Sequence, residues 1–307
     1  MPESALGLDH GFPRRMRVYL REMFPVPIRL SMAVLLYAGF ARMLARLHGW
    51  DGAPAFADLM LGSWSAFATM LVLRLMDELK DRDVDRSLFA SRPLPSGRVL
   101  ESDIRLSLGL ASALFLAAHL GRGPAFWTAV AVLGYAGLMF RWFFVPTLMR
   151  PRLLLTLVTH NPVVVVLLLH LAVLAGGARG NRPSDLDLAA VLPLIVIYWA
   201  PVFAWEIARK VRAPEEEDAY VTYSRLLGRI SAVSLVSAAQ TTALVAAWIL
   251  ARRHALHPAW IACITLGWLI AQAAHARFLV RPDAASSRLR PFAELFLVSV
   301  LLAALAA

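Results

Sequence analysis

Residues 77 to 98 read Asp-Glu-Leu-Lys-Asp-Arg-Asp-Val-Asp-Arg-Ser-Leu-Phe-Ala-Ser-Arg-Pro-Leu-Pro-Ser-Gly-Arg, directly after an apolar stretch with the length of a membrane span. Asp77, Asp81 and Asp85 are four apart, so they share one face for as long as a helix lasts. Carboxylates so arranged repel one another, and at the edge of a bilayer they are costly unless a cation neutralises them. Hard divalent ions take such oxygen ligands. Arg82, Arg86, Arg92 and Arg98 follow at once, and forked guanidinium groups suit a metal-bridged anion such as a diphosphate.

A second charged segment repeats the plan. Glu206 stands at the end of another apolar stretch, followed by Arg209, Lys210 and Arg212, then Pro214 and the acidic run Glu215, Glu216, Glu217, Asp218. Apolar helix, terminal carboxylate, basic residues and a proline-containing loop thus occur twice. This is a weak internal repeat within a single domain of residues 1–307, with halves of about 25–150 and 151–307. Such repeats also occur in transporters. Charged loops between spans are ordinarily just solvated. That plain reading suits Glu215–Asp218 as well as a binding role does, but it suits the regularly spaced Asp77, Asp81 and Asp85 poorly.

The elements that must position these residues are membrane helices. The 307 residues are 59% hydrophobic and carry a net charge of +10, and the mean hydropathy is +0.62. That composition indicates an all-α polytopic membrane protein rather than a nucleic-acid binder. Nine apolar segments can be drawn, at 25–47, 56–77, 103–120, 124–145, 152–176, 187–209, 227–251, 259–280 and 290–307. Expected breaks fall at Gly121–Pro124, Gly176-Gly177, Arg182-Pro183, His257-Pro258 and Arg281-Pro282. With a cytoplasmic N-terminus, Lys and Arg favour the inner ends by roughly three to one. Both acidic segments then lie on the cytoplasmic side and the C-terminus lies outside. The single cysteine, Cys263, permits no disulfide within the chain. The first apolar run is long and has no small-residue cleavage site after it, so no signal peptide is expected.

The motifs resemble the UbiA superfamily of intramembrane prenyltransferases over essentially the full length. That family carries Asn-Asp-x-x-Asp-x-x-x-Asp at the end of its second span, and the same spacing is filled here by Asp77, Glu78, Asp81 and Asp85. Arg92-Pro-Leu-Pro-Ser-Gly97 matches the family's Arg-Pro-Leu-Pro-Ser-Gly at the expected distance. The chain departs from the pattern at Asp77 and Glu78. It departs again at Glu206-Ile-Ala-Arg-Lys210, where Lys210 replaces the second acid of the family's Asp-x-x-x-Asp. Glu215, Glu216 or Glu217 is a candidate for the missing carboxylate. Arg150 or Arg152 is a candidate stand-in for a Tyr-x-x-x-Lys element that this chain lacks.

The resemblance implies nine transmembrane helices around a central cavity, capped by cytoplasmic loops. It implies an Mg2+-dependent enzyme that ionises a prenyl diphosphate, with the lipid bilayer as its surroundings; the sequence names no protein partner. Asp77, Glu78, Asp81, Asp85 and Glu206 are the expected metal ligands. Lys80, Arg92, Arg150, Arg152, Arg209, Lys210 and Arg212 are expected on the diphosphate. An allylic cation needs a dry pocket with aromatic faces, for which Tyr135, Trp142, Phe144, Tyr198, Trp199 and Phe203 are candidates, although aromatic residues in spans often only pack or anchor. His160 and Asn161, polar residues inside the fifth span, either line the cavity and assist a proton transfer or bond to a neighbouring helix. The cation can pass to an acceptor, the commoner family activity, or cyclise as in UbiA-type terpene synthases. A divalent-cation transporter is a remote alternative, because no carboxylate lies mid-span to form a pathway.

Overall fold

The computed structural model describes residues 11–51, 54–218 and 220–304. Among the described residues every regular element is helical. The α-helices are α1 Phe12–Met23, α2 Val26–His48, α3 Phe56–Lys80, α4 Arg82–Leu88, α5 Glu101–Ala117, α6 Pro124–Phe140, α7 Pro146–Met149, α8 Leu153–His160, α9 Pro162–Gly177, α10 Leu188–Ala208, α11 Tyr223–Leu227, α12 Arg229–Arg253, α13 Pro258–Val280 and α14 Arg290–Ala303. The protein is an all-α polytopic membrane protein. Six segments are long and apolar enough to cross a bilayer: α2, α3, α8 continued by α9, α10, α12 and α13.

The other three expected spans are helical but shorter. Helices α5 and α6 have 17 residues each and α14 has 14. The first turns of α5 carry Glu101, Asp103 and Arg105, which leaves too little apolar length. Helix α6 is cut at one end by Pro124 and at the other by a left-handed turn at Trp142, Phe143 and Phe144, with φ of 53°, 50° and 61°. The expected proline and glycine breaks do end helices. Helix α9 stops at Gly177, and Pro258 opens α13, where its missing N–H costs nothing. Pro162 separates α8 from α9 at Asn161.

The chain forms two compact units. The first holds the described residues up to Tyr37 together with Ala55–Pro146; the second holds Ala38–Pro54 and the residues from Thr147 onward. In the first unit α3 packs on α5 and α6. The apolar side of α1 closes the end of this layer, with Met16 and Tyr19 buried among Val72, Leu75, Val99 and Ile104. Gly62 lets α3 approach α2, since a Cβ there would run into the ring of Tyr37. In the second unit α10 packs on α12 and α14, and α13 on the same two helices. Ile207, Tyr223, Val233, Val236, Phe278 and Ala293 share its core. Between α12 and α13, Gln272 donates to Gln240 Oε1 at 3.1 Å and Trp268 to Thr241 Oγ1 at 3.0 Å. These bonds satisfy polar groups that lipid cannot.

Candidate active site

In the first unit, α3 carries the acidic segment out of its apolar stretch and kinks at Asp81, whose φ of −97° and ψ of 9° end α3 and begin α4. Asp is a poor helix former, and like charges at i, i+4 oppose helix continuation. The helical bonds from Asp81 N to Asp77 O and from Asp85 N to Asp81 O, both 2.9 Å, nevertheless bridge the kink. The acids part company by environment instead. The Asp77 side chain is 48% exposed, with Lys80 Nζ at 3.5 Å, whereas that of Asp85 is only 9% exposed. Lys80 is held in turn 4.7 Å from the Trp142 ring centre.

Arg92 Nη1 donates to both oxygens of Asp85 at 2.8 Å and stacks 3.9 Å over Phe89. The loop that presents it is wound tightly. Ser96 N reaches Arg92 O at 3.0 Å, Val99 N reaches Pro93 O at 3.0 Å, and Gly97 takes the left-handed φ of 73° that a side chain would resist. Arg98 pins the loop to α1 by donating to both Glu22 oxygens, at 2.5 and 2.8 Å, and this pair holds the Glu22 carboxyl below its ordinary pKa. Glu78 points inward and is buried. Arg74 donates to its Oε1, while Oε2 has no hydrogen-bond partner. The sequence reading missed Arg74, although its place four residues before Glu78 is the signal for a helical ion pair.

In the second unit Glu206 accepts two bonds from Arg209 at 2.7 Å, with Lys210 Nζ at 3.5 Å. The acids beyond Pro214 are occupied by donors of their own unit. Glu215 accepts from Ala284 N at 2.8 Å. Glu216 accepts from Ser287 Oγ at 2.5 Å, which draws its carboxyl below the ordinary pKa. Glu217 accepts from the hydroxyls of Thr222 and Ser224 at 2.6 Å each. Ser224 Oγ also receives Arg212 N at 2.9 Å. These carboxylates staple the 213–224 loop to itself and to the loop before α14, and neither Ser287 nor Ser224 was singled out from sequence. Arg150 and Arg152 lie exposed around the start of α8, and Arg152 donates to Leu148 O at 2.9 Å.

The aromatic candidates divide between the units. In the first, Tyr135 meets Phe143 edge-on at 5.8 Å, and Phe144 is 72% exposed. In the second, Tyr198 is buried edge-on to Phe40 at 5.3 Å, and Trp199 packs on Phe203 at 5.3 Å. His160 lies 3.2 Å from Thr159 Oγ1, and Asn161, buried at the α8–α9 break, has no donor for its Oδ1.

No family model and no curated protein matches the sequence. Two solved structures match the fold. One, from work on the biosynthesis of digeranylgeranylglyceryl phosphate synthase in membranes, aligns with 95% of this chain and 97% of its own, at a TM-score of 0.63 and 15% identity. The other is the apo structure of a UbiA homolog from Aeropyrum pernix K1, aligned with 89% of this chain and 95% of its own, at a TM-score of 0.63 and 19% identity. The chain has the UbiA fold. Within this UbiA-fold chain, no three His, Cys, Asp or Glu side chains among the described residues are grouped to hold a metal ion. Asp77, Glu78, Asp85 and Glu206 are each paired with a basic side chain instead. The acids of the first unit, Asp77, Glu78 and Asp85, still suit magnesium by their chemistry. Their donors are all hard oxygen, and the unpartnered Glu78 Oε2 leaves one ligand position open. Magnesium ordinarily uses only one or two carboxylates and completes its shell with water and phosphate oxygens.

Proposed function

We propose that this protein is an intramembrane enzyme that ionises a prenyl diphosphate with magnesium and transfers the prenyl cation to an acceptor. The observation that carries this reading is the pairing of Arg92, from the Arg-Pro-Leu-Pro-Ser-Gly loop, with Asp85 of the acidic segment, in a chain of UbiA fold. Nine spans around a central cavity, in a single domain with weak half-repeats of about 25–150 and 151–307, complete the proposal. The arginine asymmetry supports cytoplasmic active-site loops and N-terminus, with the C-terminus outside.

Asp77, Glu78, Asp81 and Asp85, with Glu206, would hold magnesium, which when bound offsets the charge that develops on the leaving diphosphate. Glu215, Glu216 or Glu217 would supply a further carboxylate on release from the hydrogen bonds it accepts within its own unit. Lys80, Arg92, Arg209, Lys210 and Arg212, with Arg150 or Arg152, would bind the diphosphate oxygens. Tyr135, Trp142, Phe144, Tyr198, Trp199 and Phe203 would face the prenyl chain and exclude water. His160 and Asn161 would line the cavity and assist a proton transfer, and the buried Asn161 Oδ1 has no donor among the described residues.

The test is to incubate purified protein and magnesium with ten-, fifteen- and twenty-carbon prenyl diphosphates, first alone and then with aromatic or glycerol-based acceptors. Turnover that requires an acceptor supports transfer. Cyclic hydrocarbon or alcohol without an acceptor supports the terpene-synthase reading, which Lys210 favours by standing where the family has its second acid. Release of diphosphate under no condition, with any of the three substrates, would overturn both.

A further inference from the structure

Helix α1 is amphipathic. At 3.6 residues per turn Phe12, Met16, Tyr19 and Met23 fall on one side and Arg14, Arg17 and Arg21 on the other. The apolar side is committed to the first unit's core, where Tyr19 and Met16 are buried. Two polar residues of α1 are committed as well. Arg15 donates to Asp103 of α5 at 2.6 and 2.7 Å, and Glu22 accepts from Arg98 of the 92–98 loop. Arg14, Arg17 and Arg21 remain exposed and form no ion pair among the described residues.

Beside these exposed arginines runs an open, largely apolar groove of about 510 Å³, lined by Met16, Arg17, Leu20, Arg21, Val26 and the prolines flanking them. Helix α2, a span by length and composition, begins at Val26, so the groove sits where a bilayer-crossing helix starts. Headgroups occupy that level. An amphipathic basic helix there lies in the interface, and each arginine near an anionic leaflet contributes favourably to lipid binding.

We infer that the α1–α2 groove is a binding site for one anionic phospholipid, its phosphate on Arg17 and Arg21 and an acyl chain on Leu20 and Val26. Charge and shape agree on this occupant, because the groove offers two exposed cations at its rim and an apolar floor. The bound lipid stiffens α1. Through Arg15–Asp103 and Glu22–Arg98 it also holds α5 and the loop that carries Arg92.

Full-length protein in neutral detergent can be titrated with phosphatidylglycerol, phosphatidylcholine or tail-less glycerol phosphate and the retained adducts counted by native mass spectrometry. Phosphatidylglycerol is expected to give one saturable adduct that neither other compound gives at equal concentration. Arg17→Gln with Arg21→Gln should weaken it roughly five-fold per arginine. Arg252→Gln with Arg253→Gln, exposed at the far end of α12, should leave it unchanged. Val26→Asn, which keeps both arginines, should weaken it several-fold and serves alone if the arginine double variant does not fold. Equal loss in the two arginine double variants, equal competition by glycerol phosphate, or an undiminished adduct in Val26→Asn would each overturn the assignment.

Discussion

Arg92 donates from one nitrogen to both oxygens of Asp85 at 2.8 Å while its guanidinium lies 3.9 Å over the Phe89 ring. Asp85 is the most enclosed of the three aspartates at helical spacing, and its negative charge is balanced by the arginine that opens the tightly wound 92–97 loop. The pair therefore couples the position of the loop to the state of the acid. On the proposed function, an incoming diphosphate would compete with Asp85 for Arg92.

Arg92→Lys keeps the charge but loses the planar group that stacks on Phe89. The variant is expected to insert and to elute like the parent, with turnover or prenyl-diphosphate affinity lowered at least ten-fold. Arg288→Lys, on another loop, is the control and should be silent. Identical kinetics for the two variants would reduce Arg92 to a topology signal.

Asp81 stands at the kink between α3 and α4. Asp81→Ala should lower turnover by two to three powers of ten, the ~2.7–4 kcal/mol typical of losing one preorganised transition-state group. Steady-state rates at saturating magnesium measure this, and near-parental turnover would remove Asp81 from the site.

Glu78 is buried, and Arg74 donates a hydrogen bond to it. Arg74→Met leaves an uncompensated carboxylate and should cost about 3–5 kcal/mol. Adding Glu78→Gln should restore most of that loss, because the double variant buries no lone charge. Thermal unfolding in detergent reads the order: parent and double variant close together, Arg74→Met well below. A double variant no better than the single would show that the pair is not coupled.

Ser287 Oγ donates to Glu216 across 71 residues of sequence. The Glu216 carboxyl is lowered from 4.5, chiefly by this bond. A lowered carboxyl stabilises the fold above its unfolded pKa, and that stability is lost as pH falls through the folded value. Ser287→Ala should therefore destabilise the protein by about 1 kcal/mol at neutral pH, a charged hydrogen bond discounted for partial exposure. The difference between variant and parent should shrink below pH 4.5. A gap that stays constant across that range would mean that Ser287 acts by packing alone.

Much of this protein is legible in one dimension. Span length and apolar composition mark the membrane helices, because a bilayer demands about 20 apolar residues with every backbone bond made internally. Gly177 ends a helix and Pro258 opens one where they stand, because their effect on the backbone is local. The spacing of Asp77, Asp81 and Asp85 and the Arg92–Gly97 loop likewise need no partner to be recognised. What only the tertiary structure decided is which charge meets which. Arg15 finds Asp103, 88 residues away, and Arg98 finds Glu22, 76 away. Glu215 and Glu216 accept from Ala284 N and Ser287 Oγ, donors about 70 residues further along the chain. A carboxylate accepts whatever donor packing brings within about 3 Å, and packing depends on the whole chain rather than on neighbouring residues. For the same reason the short helices α5 and α14 could be recognised as apolar helices, but their lengths could not.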